Sequence, residues 1–522
     1  MTVHNRPYDV IIVGSGINSL VCATLLGLKG RRVLVLERAA VAGGCIRTEE
    51  VTAPGFHHDI FAMSYPLFVS TPFYQILAPL LAAESVHMVE AVIPTGVLLP
   101  DGQSLLLRRS RSANVTAFGA AHQEAMAEVE TDEPLIFGLL GQGPRSFGTL
   151  KLLLKQLWSR RLDGMAAFTA DALEPARAWL ERSFSSGLTR ALIAPWVLHV
   201  GLGPDSAFSA MMAKVVLFTL ETAGIPFVQG GGGKLVDAFI RIIERHGGEV
   251  RTGTDVVGVT VVKGRATGIV TASGDRLHAT RAVICNTTPT QLYGRLLAGT
   301  PLPAATRDGA TRYRYGRANM QIHIALSEPP CWSDPELGTV GLLHLTGGMN
   351  AVSRSVTEAE CGLLPSEATI VVGQPAHADP SRCPPGASLL WIQLQELPRH
   401  IQGDAAGLIP PPADGLWTDE IAAAYAERIL ARLRPHISNL DTATVGIRVM
   451  GPHMLEAYNI NLVGGDPYSG VCSVDQFHLL RPFAAAGGHA TPVTDLYHIG
   501  ASTHPGPGLG GVSGQIVAQA IG

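Results

Sequence analysis

Two glycines and one acidic residue near the start of the chain have the types and spacing that bind a dinucleotide. Gly14 and Gly16 follow a β-branched run, and Glu37 closes the next apolar run. Such glycines allow a tight turn and let a pyrophosphate reach the N-terminus of a helix, where free N–H groups favour negative charge. A carboxylate about 20 residues later commonly binds a ribose hydroxyl. Ser19 replaces the third glycine of the motif, so helix and strand should pack slightly further apart there.

The elements that would position these residues form a βαβ unit. The residue pattern predicts a strand from Tyr8 to Val13, a helix from Asn18 to Lys29 and a strand from Arg32 to Leu36. The alternative is a glycine-containing turn in some other parallel sheet. A second glycine pair, Gly43–Gly44, follows Glu37. This arrangement is similar to the extended signature of FAD-dependent oxidases and desaturases, whereas NAD-only dehydrogenases generally do not need it, so we expect FAD.

A second segment, 230–261, has a glycine-rich start, an amphipathic helix, a Gly-Gly stop and a strand. Strands then alternate through 264–289, with Gly274–Asp275 as a hairpin turn. The pattern resembles the β-meander half of a flavoprotein, in which the residues around Asp255–Val257 commonly meet the adenine end of FAD.

The third segment, 495–521, predicts a strand from Leu496 to Ile499, a loop of glycines and prolines, and a helix from about Val512. The helix N-terminus would lie beside the cofactor, where its dipole would stabilise an anionic reduced flavin. The alternative is a glycine-rich terminal tail.

Four stretches carry a family resemblance: VIIVGSGINSLVCA, AGGCIRTEE, SVDQFHLLRP and LYHIGASTHPGPGLGGVSG. They are similar to the phytoene desaturase-like flavoproteins, which include carotenoid desaturases and ketolases, retinol saturases, carotenoid isomerases and a pyridine nucleotide-disulfide oxidoreductase-like branch. The amine oxidase branch tends to carry Gly-Glu in the terminal loop, and no Glu stands between Gly500 and Gly514.

The resemblance implies an α/β fold: a Rossmann-type FAD-binding domain of the GR2, amine-oxidase-like kind with an inserted α+β substrate domain. We expect residues 1–70, 225–295 and 440–522 to form the FAD-binding domain, and 71–224 and 296–439 to form the substrate domain. The expected cofactor-binding residues are Gly14, Gly16, Ile17, Asn18, Ser19, Glu37, Arg38, Gly43, Gly44, Arg47, Thr48, Val256, Val257, Asn286, Gly500, Ala501, Gly510, Gly511 and Val512.

The resemblance also implies chemistry on C–H, C–C or C=C bonds of a lipophilic molecule. Since flavin N5 accepts a hydride, our hypothesis is desaturation or other redox processing of a hydrophobic polyene- or isoprenoid-like molecule by hydride transfer to N5. Oxygen or a quinone is the expected electron acceptor, since no second dinucleotide motif is present to hold NAD(P). The catalytic candidates are His504, in the terminal loop, and His199, in an apolar segment. The alternatives are that His504 only holds its loop and that His199 is a core residue.

Two rival functions stay open. One is an amine or amino-acid oxidase, in which Arg481 or Arg312 would anchor a polar substrate. The other is a flavin-binding interaction protein without turnover. No spacing of His, Asp and Glu suggests a metal site, and a net charge of −4 argues against nucleic acid as a partner.

The composition is apolar, with 46% hydrophobic and 16% charged residues. The scattered cysteines suit a reducing compartment, and no signal peptide is evident, so we expect a cytoplasmic protein with possible peripheral membrane contact. The basic amphipathic stretch 149–162 could lie on a membrane. We favour the alternative, an ordinary helix whose leucines face the core. The segment 193–220 would either line an apolar tunnel or form a buried helix pair.

Overall fold

The computed structural model describes residues 7–522, apart from the side chain of His478. Its strands are β1 (Tyr8–Val13), β2 (Val33–Leu36), β3 (Thr48–Glu49), β4 (His58–Asp59), β5 (Met88–Glu90), β6 (Ile93–Leu98), β7 (Ser104–Leu107), β8 (Pro226–Val228), β9 (Glu249–Arg251), β10 (Val256–Val262), β11 (Arg265–Thr271), β12 (Arg276–Asn286), β13 (Ala318–Leu326), β14 (Val340–Leu345), β15 (Leu363–Leu364), β16 (Ile370–Gly373), β17 (Ser388–Leu397), β18 (Gly403–Asp404), β19 (Thr444–Met450) and β20 (Leu496–Ile499).

The α-helices are α1 (Ile17–Leu28), α2 (Pro66–Val69), α3 (Tyr74–Ala83), α4 (Arg111–Phe118), α5 (Ala120–Gly141), α6 (Phe147–Leu173), α7 (Ala176–Ser183), α8 (Gly187–Ile193), α9 (Ser209–Ala223), α10 (Gly232–Arg245), α11 (Ala304–Thr311), α12 (Met349–Glu360), α13 (Pro375–Ala378), α14 (Asp419–Leu433), α15 (Leu440–Ala443), α16 (Pro452–Tyr458) and α17 (Val512–Ile521). A 3₁₀ helix at Ala194–Val200 joins α8 to the loop before α9.

The first sheet has the strand order β10-β11-β12-β1-β2-β9, and β20 pairs with the far end of β12. Strands β9, β2, β1, β12 and β20 run parallel, whereas β10, β11 and the first part of β12 form an antiparallel meander. The long strand β12 therefore belongs to both parts. This arrangement confirms the Rossmann-type fold, the predicted βαβ unit and the predicted meander.

Helices α1, α10 and α17 cover one face of the first sheet with an apolar core. The central strands β1 and β2 are largely buried on both faces, which explains their β-branched, apolar sequences. Helices α1 and α17 approach so closely that a side chain at Gly514 would place its Cβ 1.9 Å from the Asn18 carbonyl oxygen. The terminal helix is thus packed against the motif helix, and the alternative of a loose glycine-rich tail is excluded.

The second sheet has the order β19-β13-β17-β16-β14-β6-β7. One of its faces packs against α14 around Tyr425, Ile429 and Leu433, where the largest apolar cluster lies. Strand β19 belongs to this sheet through its pairing with β13, so the predicted division at residue 440 does not coincide with the sheet boundary. The proposed domain division otherwise stays a prediction.

Arg382 joins the two halves of the chain. Its side chain is fully buried and donates to Asp59 at 2.8 Å, to Asp379 at 2.9 Å and to the Val228 carbonyl oxygen at 2.9 Å. Asp59 in turn accepts from the Gly232 N–H at the start of α10. One buried cation therefore ties together strand β4, strand β8 and the loop before β17.

Helix α6 overturns our preferred interpretation of the stretch 149–162. Leu150, Leu154 and Leu157 are 53%, 57% and 39% exposed, and Trp158 is 90% exposed. The leucines do not face the core because α6 packs on α5 through its other side, where Leu152 contacts Gly138. Over residues 7–522, no helix has both the length and the apolar content needed to cross a bilayer.

Candidate FAD and substrate site

A continuous cavity of about 920 Å³ lies between the two sheets. It begins at the carboxyl ends of β1, β2 and β12, passes the N-termini of α1 and α17, and ends against β13 and β17 of the second sheet. Ligands of parallel α/β sheets bind at this edge of the strands. The volume is at the upper end of the range of about 300–1,000 Å³ typical of small-molecule sites.

The N-terminus of α1 opens directly onto the cavity. Gly14 has a φ of +89°, and a Cβ there would lie 3.0 Å from the Asn286 carbonyl oxygen. A Cβ at Gly44 would lie 3.1 Å from the Cα of Gly16, the N-cap residue. Because backbone meets backbone here, the cavity wall is free of side chains where a pyrophosphate would bind. Ile17 and Asn18 line the same part of the wall.

Glu37 lies at the end of β2, on the cavity wall beside the exposed Arg38. Its carboxylate accepts from the Ser15 N–H at 2.9 Å, from the Ser15 hydroxyl at 2.7 Å and from the Ala39 N–H at 2.9 Å. These bonds fix the carboxylate at the edge of the sheet. In that place it can accept from ribose hydroxyls.

The meander supplies the end of the cavity that would receive the adenine. Val256 lines it, as do Asp255 and Arg295, whose ion pair spans 3.3 Å. Val257 points away and is 40% exposed, because successive side chains of a strand alternate between its faces. Sequence reasoning missed Arg295, which has no motif around it.

The C-terminal loop closes the cavity from the other side. Gly510, Gly511 and Val512 line it, and Gly511 is the left-handed N-cap of α17. Ala501 also lines it. Gly500 does not line it. Its N–H donates to a hydroxyl of α17, and glycine suits this position because its φ is +109° and a Cβ would lie 2.2 Å from the side-chain oxygen of Asn286.

Three further predicted residues support the cavity from behind. Ser19 accepts from the Asn286 amide at 2.9 Å, and the Gly43 N–H donates to the Ser15 hydroxyl at 2.9 Å. Thr48 accepts from a backbone N–H of α10. Direct contact with a cofactor is therefore not expected of these three residues. The wall-lining residues include Asn286 itself and Arg47, which stacks on Tyr458 at 4.9 Å.

His199 lies on the cavity wall. Its Nε2 is 2.9 Å from the Nε2 of His344, and its ring stacks on Trp196 with centroids 4.5 Å apart. Burial lowers the pKa of His199 to about 3 and holds the pKa of His344 well below its usual value. Both imidazoles are neutral at pH 7, so His199 is a weak base that accepts or donates hydrogen bonds.

The structure does not bring His504 to the cavity. Its side chain is fully buried, and its carbonyl oxygen accepts from His489 at 2.9 Å, so we assign it to the support of the loop. Arg481 is also fully buried and donates to the carbonyl oxygens of Ala501 and Tyr468. Arg312 is exposed and outside the cavity. Neither arginine can anchor a substrate in this cavity.

The segment 193–220 contributes both to the cavity wall and to the buried core. Trp196, Met212 and Val216 line the cavity, while Val197 and Leu217 belong to the apolar core behind it. The opposite wall comes from the second sheet, with Asn319, Gln321, Gln393, Gln395 and Trp391. Sequence reasoning missed this wall. Its signal is the period-two alternation of ANMQIH and LLWIQLQEL, which is normally produced by strands with one face in water.

The chain belongs to the family described as flavin containing amine oxidoreductase, whose profile matches residues 20–506. A rat protein named pyridine nucleotide-disulfide oxidoreductase domain-containing protein 2 is 25% identical, over 98% of this chain and 93% of its own length. The neurosporene-forming phytoene desaturase of Cereibacter sphaeroides is also 25% identical, with coverage of 98% and 93%. The predicted resemblance is confirmed.

A crystal structure of an oxidoreductase from Methanosarcina mazei shares the fold, with a TM-score of 0.62, 16% identity, and coverage of 98% of this chain and 99% of that one. The bare backbone around Gly16 and Gly44 and the fixed carboxylate of Glu37 fit a flavin dinucleotide. The protein is an FAD-dependent oxidoreductase. We expect the residues that line the first half of the cavity to hold the FAD.

Proposed function

We propose that this oxidoreductase removes hydrogen from a hydrophobic small molecule of the polyene or isoprenoid kind. The observation that carries the proposal is the apolar part of the wall over the second half of the cavity. It includes Met212, Val215, Val216 and Leu342. The charged lining residues of the described chain are Glu37, Arg38, Arg47, Glu133, Asp255 and Arg295, and none of them is on the second sheet. The likeness to a phytoene desaturase supports the same substrate class.

The chain's own contribution is mainly to position the substrate and exclude water. Removal of two hydrogens takes a hydride and a proton from the substrate. FAD, when bound, would accept the hydride, and oxygen or a quinone is our proposed acceptor of the two electrons. The apolar side of the cavity would hold a C–H bond in place and help to exclude water. The proton would leave from the carbon beside the one that loses the hydride, where it is acidic enough for a weak base. We propose the neutral imidazole of His199, on the cavity wall, as that base.

Anaerobic mixing of the FAD-loaded protein with candidate substrates tests the reaction. We expect a polyene or isoprenoid to bleach the visible band of the oxidised flavin, with a desaturated product found by mass spectrometry. Bleaching by amines alone would favour the amine oxidase alternative. A flavin that no substrate of either class reduces, although dithionite reduces it, would favour a binding protein without turnover. Bound FAD per chain is measured in parallel.

We further propose that α6 rests on a membrane surface that delivers the substrate, while the protein is otherwise cytoplasmic. Phe147, Leu150, Leu154 and Trp158 follow helical spacing and are all exposed, with Phe147 at 80%. Lys151 and Lys155 are exposed beside them on the same helical segment, which ends at a kink at Arg161. An apolar stripe flanked by cations matches an interface of acyl chains and anionic headgroups. The neighbouring α5 reaches the cavity wall through Phe137 and Leu140.

Sedimentation with vesicles tests this surface. We expect the protein to bind phosphatidylcholine vesicles containing phosphatidylserine more tightly than pure phosphatidylcholine vesicles, and Leu154→Ser with Trp158→Ser to weaken binding at least tenfold. Val445→Ser is the matched control, since Val445 is 52% exposed on β19. The proposal would be overturned if the protein did not bind vesicles and the double substitution converted a dimer to a monomer. That result would show that this surface is a dimer interface.

A further inference from the structure

The second sheet turns a polar face inward. On β13, Ala318, Met320 and Ile322 pack in the apolar core on α14, so the alternate residues Asn319 and Gln321 face the other way. Both are buried, at 1% and 2% exposure, and both line the cavity. A face that would ordinarily meet water is therefore enclosed in the protein.

Strand β17 repeats the pattern beside it. Leu390, Ile392 and Leu394 belong to the core, while Gln393 and Gln395 line the cavity. Gln321 is the register partner of Gln393. Four side-chain amides on two paired strands thus form one cluster, which we call the amide cluster: Asn319, Gln321, Gln393 and Gln395.

The Gln395 amide nitrogen donates to the Tyr468 hydroxyl at 3.3 Å, but three side-chain oxygens of the amide cluster lack hydrogen-bond partners inside the described part of the protein. Among the described residues, the side-chain oxygens of Asn319, Gln321 and Gln395 have none, although all three are buried. The indole N–H groups of Trp196 and Trp391, on the same cavity, also have none. Buried polar groups in folded proteins are almost always paired, so this set points to a group that arrives with a ligand.

The cluster is also uncharged. A carboxylate or an ammonium group placed against it would lose its water without meeting a counter-ion, which is strongly unfavourable. Amides present both an oxygen acceptor and N–H donors, and their orientation can reverse to suit the ligand. The indoles add donors. Such a surface suits a neutral oxygen that accepts hydrogen bonds and, in an alcohol, donates one as well.

We propose that the amide cluster and the two indoles bind a hydroxyl or carbonyl group of the substrate. This inference rests on the proposed function and narrows its substrate class to a hydrophobic molecule that carries an uncharged oxygen. The polar group would set which carbon of the chain lies over the flavin end of the cavity. A pure hydrocarbon would leave the buried amides unpaired and bind less well.

Calorimetric titration of the FAD-loaded protein with matched eight-carbon probes tests the inference: n-octane, 1-octanol, 2-octanone, octylamine and octanoate. We expect 1-octanol or 2-octanone to bind at least tenfold more tightly than the other three. Gln321→Met and Gln395→Met together should remove that preference. Met320→Leu is the matched control, because Met320 is the neighbouring residue on the opposite face of β13 and is fully buried.

Retained FAD shows that each variant is folded. Tighter binding of n-octane, or the same preference for oxygenated probes in wild type and double variant, would overturn the amide-cluster inference. Either result would leave the dehydrogenase proposal in place if a polyene still bleaches the flavin. Conversely, selective binding of the oxygenated probes without any bleaching would support the inference about the cluster and count against the proposed reaction.

Discussion

The two sheets build their halves of the cavity by different means. The first sheet offers its edge, where the glycine backbone of Gly14, Gly16 and Gly44 lies against other backbone or against Asn286 and leaves no room for a further side chain. The second sheet offers a face, on which Gln321 and Gln393 project into the cavity. A site made of backbone constrains residue type through sterics, whereas a site made of side chains is free to change its chemistry. One fold can therefore keep its cofactor while it changes substrate.

The largest expected effect comes from the buried Arg382, which links strands β4 and β8 to the loop before β17. Arg382→Met should lower the free energy of unfolding by about 3–5 kcal/mol, because it leaves Asp59 and Asp379 charged and buried without a partner. Urea unfolding followed by circular dichroism measures it. Arg434→Met is the matched control, since Arg434 makes a partly exposed pair with Glu427 that is worth about 1 kcal/mol or less. An equal loss of unfolding free energy in the two variants would show that the buried ion pairs of Arg382 do not stabilise the fold.

The second test measures FAD binding at the glycine-lined edge of the first sheet. Gly44→Val should weaken FAD binding at least about 100-fold, since its Cβ would crowd Gly16 and Gly44 has a φ of +63° that valine rarely adopts. Fluorescence titration of the apoprotein with FAD gives the Kd. Gly187→Ala serves as control because a Cβ there meets nothing within 4 Å. Gln393→Leu sharpens the comparison, since a change on the second sheet should leave the Kd for FAD unaltered.

The same contrast explains how much of the molecule the sequence predicts. Strand β20 and helix α17 begin where the pattern places them, and the glycine motif locates the cofactor edge, because these features follow from local backbone geometry. The amide cluster could not be predicted in this way. Its alternating strands have the pattern of strands with one face in water, and only the fold of the whole chain encloses that face. For α6 the pattern predicts an apolar stripe but does not say what covers it.

The third test uses pH. Burial lowers the pKa of His498 to about 4, against about 6.5 in the unfolded chain. Below pH 6.5 the unfolded state therefore binds a proton at His498 that the folded state does not bind. The contribution of neutral His498 to the free energy of unfolding is fully present at pH 7 and is lost as the pH drops toward 4. His498→Asn should reduce this pH dependence by about one proton, or about 1.4 kcal/mol per pH unit. An unchanged slope between pH 6 and 4.5 would show that His498 is protonated in the fold. His278, on the exposed part of β12, is the control position.

The smallest expected change in the free energy of unfolding comes from substitutions on α6. Leu154→Ser and Trp158→Ser remove apolar area that is already exposed, so each should change the free energy of unfolding by no more than about 0.5 kcal/mol. Leu217→Ser, in the core behind the cavity, should instead cost several times as much. A large loss of stability from the α6 substitutions would mean that these side chains are covered in solution, as in a dimer. A small loss combined with weakened vesicle binding would show that apolar residues on this helix serve contact with lipid and not folding.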